Sequence, residues 1–143
     1  MAILQSITDI FRTDQLAGLH MFGGDTIKIA LYSNANGASL SAATVGYTTT
    51  GEITLTGYTA GGTTLAGVQI AGVPGIGYVT WSDPLWALTQ SGPIDGALIY
   101  NASKSNRAIA VLNFGVARYP VGTAFTVKFP TQDPSQNALI RLA

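Results

Sequence analysis

The chain has 143 residues, a size at which one hydrophobic core is filled efficiently, and 47% of them are hydrophobic, so a single domain over residues 1–143 is expected. Only 10% are charged, seven basic against seven acidic, well below the roughly 25% of an average soluble domain, and Arg12, Lys28, Lys104, Arg107, Lys128 and Arg141 are too scattered for the basic cluster that nucleic-acid binding needs. The absence of cysteine excludes disulfides, thiolate metal sites and thiol nucleophiles; no apolar run approaches the ~20 residues of a membrane span.

Gln5, Asp9 and Arg12 interrupt the opening segment too often for a secretory signal, so synthesis in the cytoplasm is expected. Ile3, Leu4, Ile7, Ile10 and Phe11 share one face at helical spacing. Residues 1–22 therefore read as an N-terminal helical segment, with Thr13 and Asp14 as caps for a second turn carrying Leu16 and Leu19. Gly23 and Gly24 end it, and residues 26–143 read as strands. Thr26 to Tyr32 puts Ile27, Ile29 and Leu31 on one face and Lys28 and Tyr32 on the other, a half-buried strand. Asn34 to Thr50 is small and polar, a long loop of the kind that makes contacts.

Glu52 to Thr56 and Thr63 to Ile70 alternate around a glycine-rich turn and predict a strand pair. Tyr78 to Trp81 follows as a strand ended by Asp83-Pro84, which leaves Leu85 to Leu88, with Trp86, in a loop. Ile94 to Asn101 and Arg107 to Phe114 flank a polar turn and predict an antiparallel hairpin. Thr123 to Phe129 alternates with Phe125, Val127 and Phe129 on one side, and Ala138 to Leu142 closes the chain with Leu139 or Ile140 inward. Seven or eight short strands without intervening helices predict an all-β fold, an antiparallel jelly-roll-like β-sandwich with a short N-terminal helix.

The chemistry-bearing residues are few. His20 is the one histidine, and without a nucleophile-elbow pattern it is expected to pack or hydrogen-bond beside the helix. Asp9, Asp14, Asp25, Glu52, Asp83, Asp95 and Asp133 stand singly, with no calcium loop or zinc-binding helix among them. Asp83-Pro84 and Asp133-Pro134 read as turn openings. Gly72 to Gly77 is glycine-rich, but a strand follows where a phosphate cradle needs a helix. The expectation is a non-enzymatic protein with no catalytic residues, cofactor or metal. Trp81 alternates with Val79 and belongs in the core. Trp86 is the better interface anchor, and Tyr47 and Tyr58, in Thr- and Gly-rich loops, are surface contacts of the same kind.

The string GALIYNASKSNRAIAV (96–111), with TIKIALYS (26–33), GYTAGG (57–62), FTVKFP (125–130) and NALIRLA (137–143), resembles a family of small virion proteins of tailed bacteriophages over essentially the whole chain. The resemblance implies a capsid decoration, or cement, protein: a small β-sandwich on the exterior of the virion that bridges neighbouring major capsid protein subunits. Low charge and exposed strand edges add an expected homo-oligomer, a dimer or trimer. The capsid contacts are expected on the N-terminal segment around Ile7, Ile10 and Phe11 and on the loop from Asn34 to Thr50. A rival reading is a tail- or fibre-associated glycan- or receptor-binding module that uses Trp86, Tyr47 and Tyr58 as stacking surfaces.

Overall fold

The computed structural model describes residues 2–120, 122, 124–130 and 139–142; the expected Asp133-Pro134 turn and Ala138 lie outside them. In chain order the elements are β1 (Ser6–Ile7), α1 (Asp9–Leu16), β2 (Ile27–Tyr32), β3 (Thr63–Thr64), β4 (Gln69–Val73), β5 (Ile76–Thr80), β6 (Leu85–Ala87), β7 (Ile94–Asn101), β8 (Arg107–Arg118), β9 (Ala124–Thr126) and β10 (Ile140–Leu142). The fold is all-β and antiparallel, with one short α-helix among the described residues. A principal sheet of order β1-β8-β7-β2-β3 is faced by two smaller ones, β10-β5-β4 and β6-β9. The described strands thus form sheets of five, three and two.

The strand pattern explains the layers. Ile27, Ile29 and Leu31 of β2, Ala97 and Ile99 of β7 and Ile109 of β8 pack against Val79, Trp86 and Ile140 from the smaller sheets and against Trp81 and Val127, one residue past β5 and β9. The opposite face of the principal sheet, made by Ala30, Tyr32, Leu98, Tyr100, Ala108 and Val111, is covered by Ile3, Ala38 and Leu40. The central strands are therefore buried on both sides, which is why ALIY and AIAVL run almost continuously apolar. It also corrects the half-buried reading of residues 26–32, since Tyr32 is fully buried. A bulge in β8 aids this double packing: Ile99 pairs with Ala110 and Tyr100 with Ala108, so Ile109 is the extra residue. Ile109 and Ala110 then both serve the first core, and Ala108 and Val111 the second.

The N-terminal segment differs from its predicted helix. Ile3 bridges Leu40, Ser6 and Ile7 pair with Val111 and Ala110, and the helix starts only at Asp9. Its N-cap is Thr8, whose Oγ1 accepts from the Phe11 N–H at 3.3 Å and donates toward the Ala108 and Ile109 carbonyls at 3.1 and 3.2 Å. The free edge of β8 captures the backbone of residues 6–8, and this outweighs the helical spacing of their side chains. Asp14, expected as a cap, lies inside α1 and is buried.

The loop from Asn34 to Thr50 is no projecting arm. Ser33 caps a short 3-10 turn at Asn34–Asn36, Ala38 and Leu40 are buried in the second core, and Gly46 bridges Arg107. Further on, Glu52 to Thr56 contributes only a bridge from Glu52 to Tyr32, and the hairpin expected there forms instead between β4 and β5 around Pro74-Gly75. Gly62 allows β3 to lie against β2: its φ is +77°, and a Cβ there would lie on the Ile29 carbonyl oxygen.

Candidate functional site

Two polar clusters, buried or half-buried, bring together His20, three of the seven carboxylates and four of the six tyrosines. In the first, Arg107 at the start of β8 grips Asp14 of α1 with two hydrogen bonds, Nε to Oδ2 at 2.6 Å and Nη2 to Oδ1 at 2.7 Å. His20 lies beside them with its side chain fully buried, its Nε2 3.2 Å from Asp14 Oδ2 and its Nδ1 2.9 Å from Asn101 Nδ2. Asn101 is oriented by two further partners. Its Oδ1 accepts from the Ser103 N–H at 3.0 Å, and its Nδ2 donates to Asp25 Oδ2 at 2.7 Å. A backbone N–H can only donate and a carboxylate only accept, so the amide cannot flip and His20 Nδ1 must accept. His20 is accordingly neutral, with its proton on Nε2 directed at Asp14.

The electrostatics agree. Burial lowers the His20 pKa, against the pull of Asp14 and Asp25. The hydrogen bond from Arg107 holds Asp14 below the usual carboxylate range despite burial. At Asp25 burial opposes the charge, but the Asn101 amide, the Met21 N–H and Lys104 outweigh it and lower its pKa too. The His20 ring also packs on Phe11 and Phe22, at centroid distances of 5.3 and 6.1 Å. No hydroxyl nucleophile joins the cluster among the described contacts: Ser103 Oγ accepts from the Thr26 N–H. These groups fasten α1 and the segment after it to the end of the principal sheet.

The second cluster centres on Glu52. Its Oε1 accepts from Tyr58 Oη at 2.6 Å and from the Gly61 N–H at 2.7 Å, and its Oε2 from Tyr47 Oη at 2.7 Å. Tyr100 Oη donates to the Gly61 carbonyl and Tyr32 Oη to that of Thr48, both at 2.7 Å. Burial first, and the Glu52 charge with it, pushes the pKa values of Tyr32, Tyr47, Tyr58 and Tyr100 above the ordinary phenol value. The arrangement binds the segment from Tyr47 to Gly61 to the sheet. Among the described residues no group of three or more His, Asp or Glu is placed to hold a metal ion.

The residues singled out for contacts mostly turn inward. Phe11 and Trp86 are 1% and 6% exposed. Trp86, expected in a loop, lies on β6 opposite Phe125 of β9. Ile7 and Ile10 are half-buried against the two cores. Tyr47 and Tyr58 are half-buried, with their hydroxyls on Glu52 and the Tyr47 ring stacked on Tyr100 at 4.9 Å. Their placement gives none of the six a freely exposed apolar face.

The exposed apolar surface lies elsewhere. Ile70 and Val73 of β4, Leu142 of β10, and Leu16 and Met21 at the end of α1 and just beyond it are all exposed. An apolar cleft of about 170 Å³ runs between Phe22, Ile70, Val79, Ile140 and Leu142. A larger open groove of about 570 Å³ is lined by Phe114, Phe125 and Phe129 together with Arg118 and Lys128. No charged residue occurs from Ile53 to Ser82, the stretch that contains the whole β4-β5 hairpin. That run of neutral residues is the sequence signal that marks this surface; the large aromatics do not point to it. The hairpin with its cleft is the candidate site, an uncharged surface that carries exposed apolar side chains. No protein-family model matches the chain, and neither the curated proteins nor the solved structures give a match.

Proposed function

We propose that this protein is a virion structural protein that decorates the exterior of an assembled bacteriophage capsid and stabilises it by binding across major capsid protein subunits. The observation that carries the reading is the uncharged stretch from Ile53 to Ser82, which presents exposed Ile70 and Val73 on a hairpin. A protein of this kind works through many weak, neutral contacts repeated by symmetry, because each later contact forms at high effective concentration. Binding only the assembled shell favours that state over its parts. The polar clusters support the same reading, since they commit His20, Asp14, Asp25, Glu52 and Arg107 to holding the chain's segments together. The resemblance of residues 96–111 and the other quoted strings to small phage virion proteins is the further support.

The rival glycan- or receptor-binding module draws no support from Trp86, Tyr47 or Tyr58, whose rings are buried or half-buried. The test is quantitative mass spectrometry of purified virions. A copy number equal to that of the major capsid protein, or a simple fraction of it, is expected. A handful of copies per particle would assign the protein to the tail or fibre, and its absence from particles would overturn the virion reading.

A further inference from the structure

We infer that two copies of this chain associate through β4, pairing antiparallel about a two-fold axis at Ala71 to join two three-stranded sheets into one of six strands. The inference stands on the geometry of the hairpin and does not depend on where the protein acts. β5 lies between β10 and β4, so β4 is the outer strand, and no described strand pairs with its other side. Soluble proteins usually blunt such an edge with charge, proline or a bulge. Gln69 to Val73 has none of these, and its pairing with β5 is continuous.

The register follows from the turn. Val73 and Ile76 flank the two-residue turn Pro74-Gly75 and form the hydrogen-bonded pair that closes it. Alternation then directs the main-chain groups of Gln69, Ala71 and Val73 toward β5 and those of Ile70 and Gly72 outward. In a two-fold pairing centred on Ala71, Ile70 of one copy lies opposite Gly72 of the other. Each such pair exchanges two hydrogen bonds, four in all, and the two Ala71 residues face each other as a non-hydrogen-bonded pair.

The side chains identify the occupant as a second copy. Ile70 is 61% exposed, and its counterpart across the axis, Gly72, has no side chain to oppose it. Beside Gly72 on the same face is Gly77 of β5. A Cβ at Gly77 would meet none of the described residues within 4 Å and its φ is not in the left-handed region, so no described neighbour within one copy calls for glycine there. In the pair, Ile70 of the second copy leans over the trough left by Gly72 and Gly77. A strand with charged or bulky residues at both outward positions would lose this complementarity, whereas the chain's own strand supplies it twice by symmetry. The hairpin carries no charge, and the chain's net charge is zero, so no repulsion opposes the approach.

The test uses the full chain in solution. Sedimentation across a concentration series is expected to show a monomer-dimer equilibrium, and Ala71→Lys, which sets two ammonium groups opposite each other, to weaken it by about fivefold or more. Because the chain has no cysteine, Ala71→Cys gives a second measurement that is independent of the lysine variant. Facing cysteines at a non-hydrogen-bonded antiparallel pair lie within disulfide reach, so mild oxidation is expected to give a covalent dimer, while Thr54→Cys, on an exposed loop, stays monomeric. Hydrogen exchange at the Ile70 and Gly72 amides slows as the dimer forms. A wild-type chain that stays monomeric throughout overturns the inference. So does a dimer that ignores Ala71→Lys while Ala71→Cys fails to cross-link, and so does an edge that pairs only with another protein.

Discussion

Glu52 is 6% exposed, and its carboxylate satisfies two tyrosine hydroxyls and one backbone N–H. Truncation leaves three donors, one buried and two partly buried, without their acceptor, each a desolvation cost. Glu52→Ala is therefore expected to lose about 3 kcal/mol of stability. Glu52→Gln keeps one oxygen for Tyr58 and Gly61 and presents an amide to Tyr47, whose hydroxyl can turn to accept. Its cost is expected near 1 kcal/mol. Urea midpoints should rank wild type above Glu52→Gln and Glu52→Ala last; equal midpoints for all three would mean that the Tyr47–Gly61 segment is held by other contacts. None of this was legible in the sequence, where Glu52 stood in an alternating run and Tyr47 and Tyr58 read as surface residues. A carboxylate that gathers partners five and six residues away obeys no helix or strand period. The Asp14–Arg107 pair, 93 residues apart in the chain, is further still from any local rule.

Among the elements, the β7-β8 hairpin follows the sequence closely, with strands at Ile94–Asn101 and Arg107–Arg118 about the predicted polar turn. Two long apolar runs joined by Asn and Ser need no distant partner to reveal them. Ser105 and Asn106, in that turn, are the only non-glycine residues of positive φ among those described. The N-terminal segment departs from its helical spacing because Ile7 is claimed by a strand edge, which no spacing within the segment announces. Trp86 was placed in a loop for the same reason: β6 is three residues long, and its partner β9 lies beyond β7 and β8. The shortened helix has two anchors that can be separated. Thr8→Ala removes the cap and its bonds to the Ala108 and Ile109 carbonyls and is expected to cost about 1–2 kcal/mol. Phe11→Ala empties a fully buried site packed on His20 and Phe22 and is expected to cost about 3–5 kcal/mol. Leu16→Gln, on a residue 93% exposed, is expected to stay within about 0.5 kcal/mol of wild type. Thermal melts of the three variants check the order, and a large loss from Leu16→Gln would show that its face is covered.

For the molecule as a whole, the two clusters set opposite limits on pH. His20 has its pKa lowered from 6.5, so below that value the unfolded chain binds a proton that the folded chain refuses, and stability falls as pH drops. Asp14 and Asp25 have theirs lowered from 3.8, and a second loss begins as pH falls through that value. Tyr32, Tyr47, Tyr58 and Tyr100 have theirs raised from 10.0. There the sign reverses: above pH 10 the unfolded chain releases protons that the folded chain keeps, so stability falls as pH rises, steeply because four groups act together. The Tm profile is expected to be flat from about pH 7 to 9, with one shallow acid step, one deeper acid step and a steep alkaline edge. His20→Gln isolates the first step. Glutamine can still donate to Asp14 and accept from Asn101, but it does not titrate, so the variant should lose the decline that begins below pH 6.5 and keep the deeper loss that begins below 3.8. If that decline persists in His20→Gln, protonation of the buried imidazole is not its cause, and the Asn101 amide does not fix the ring as its hydrogen bonds require.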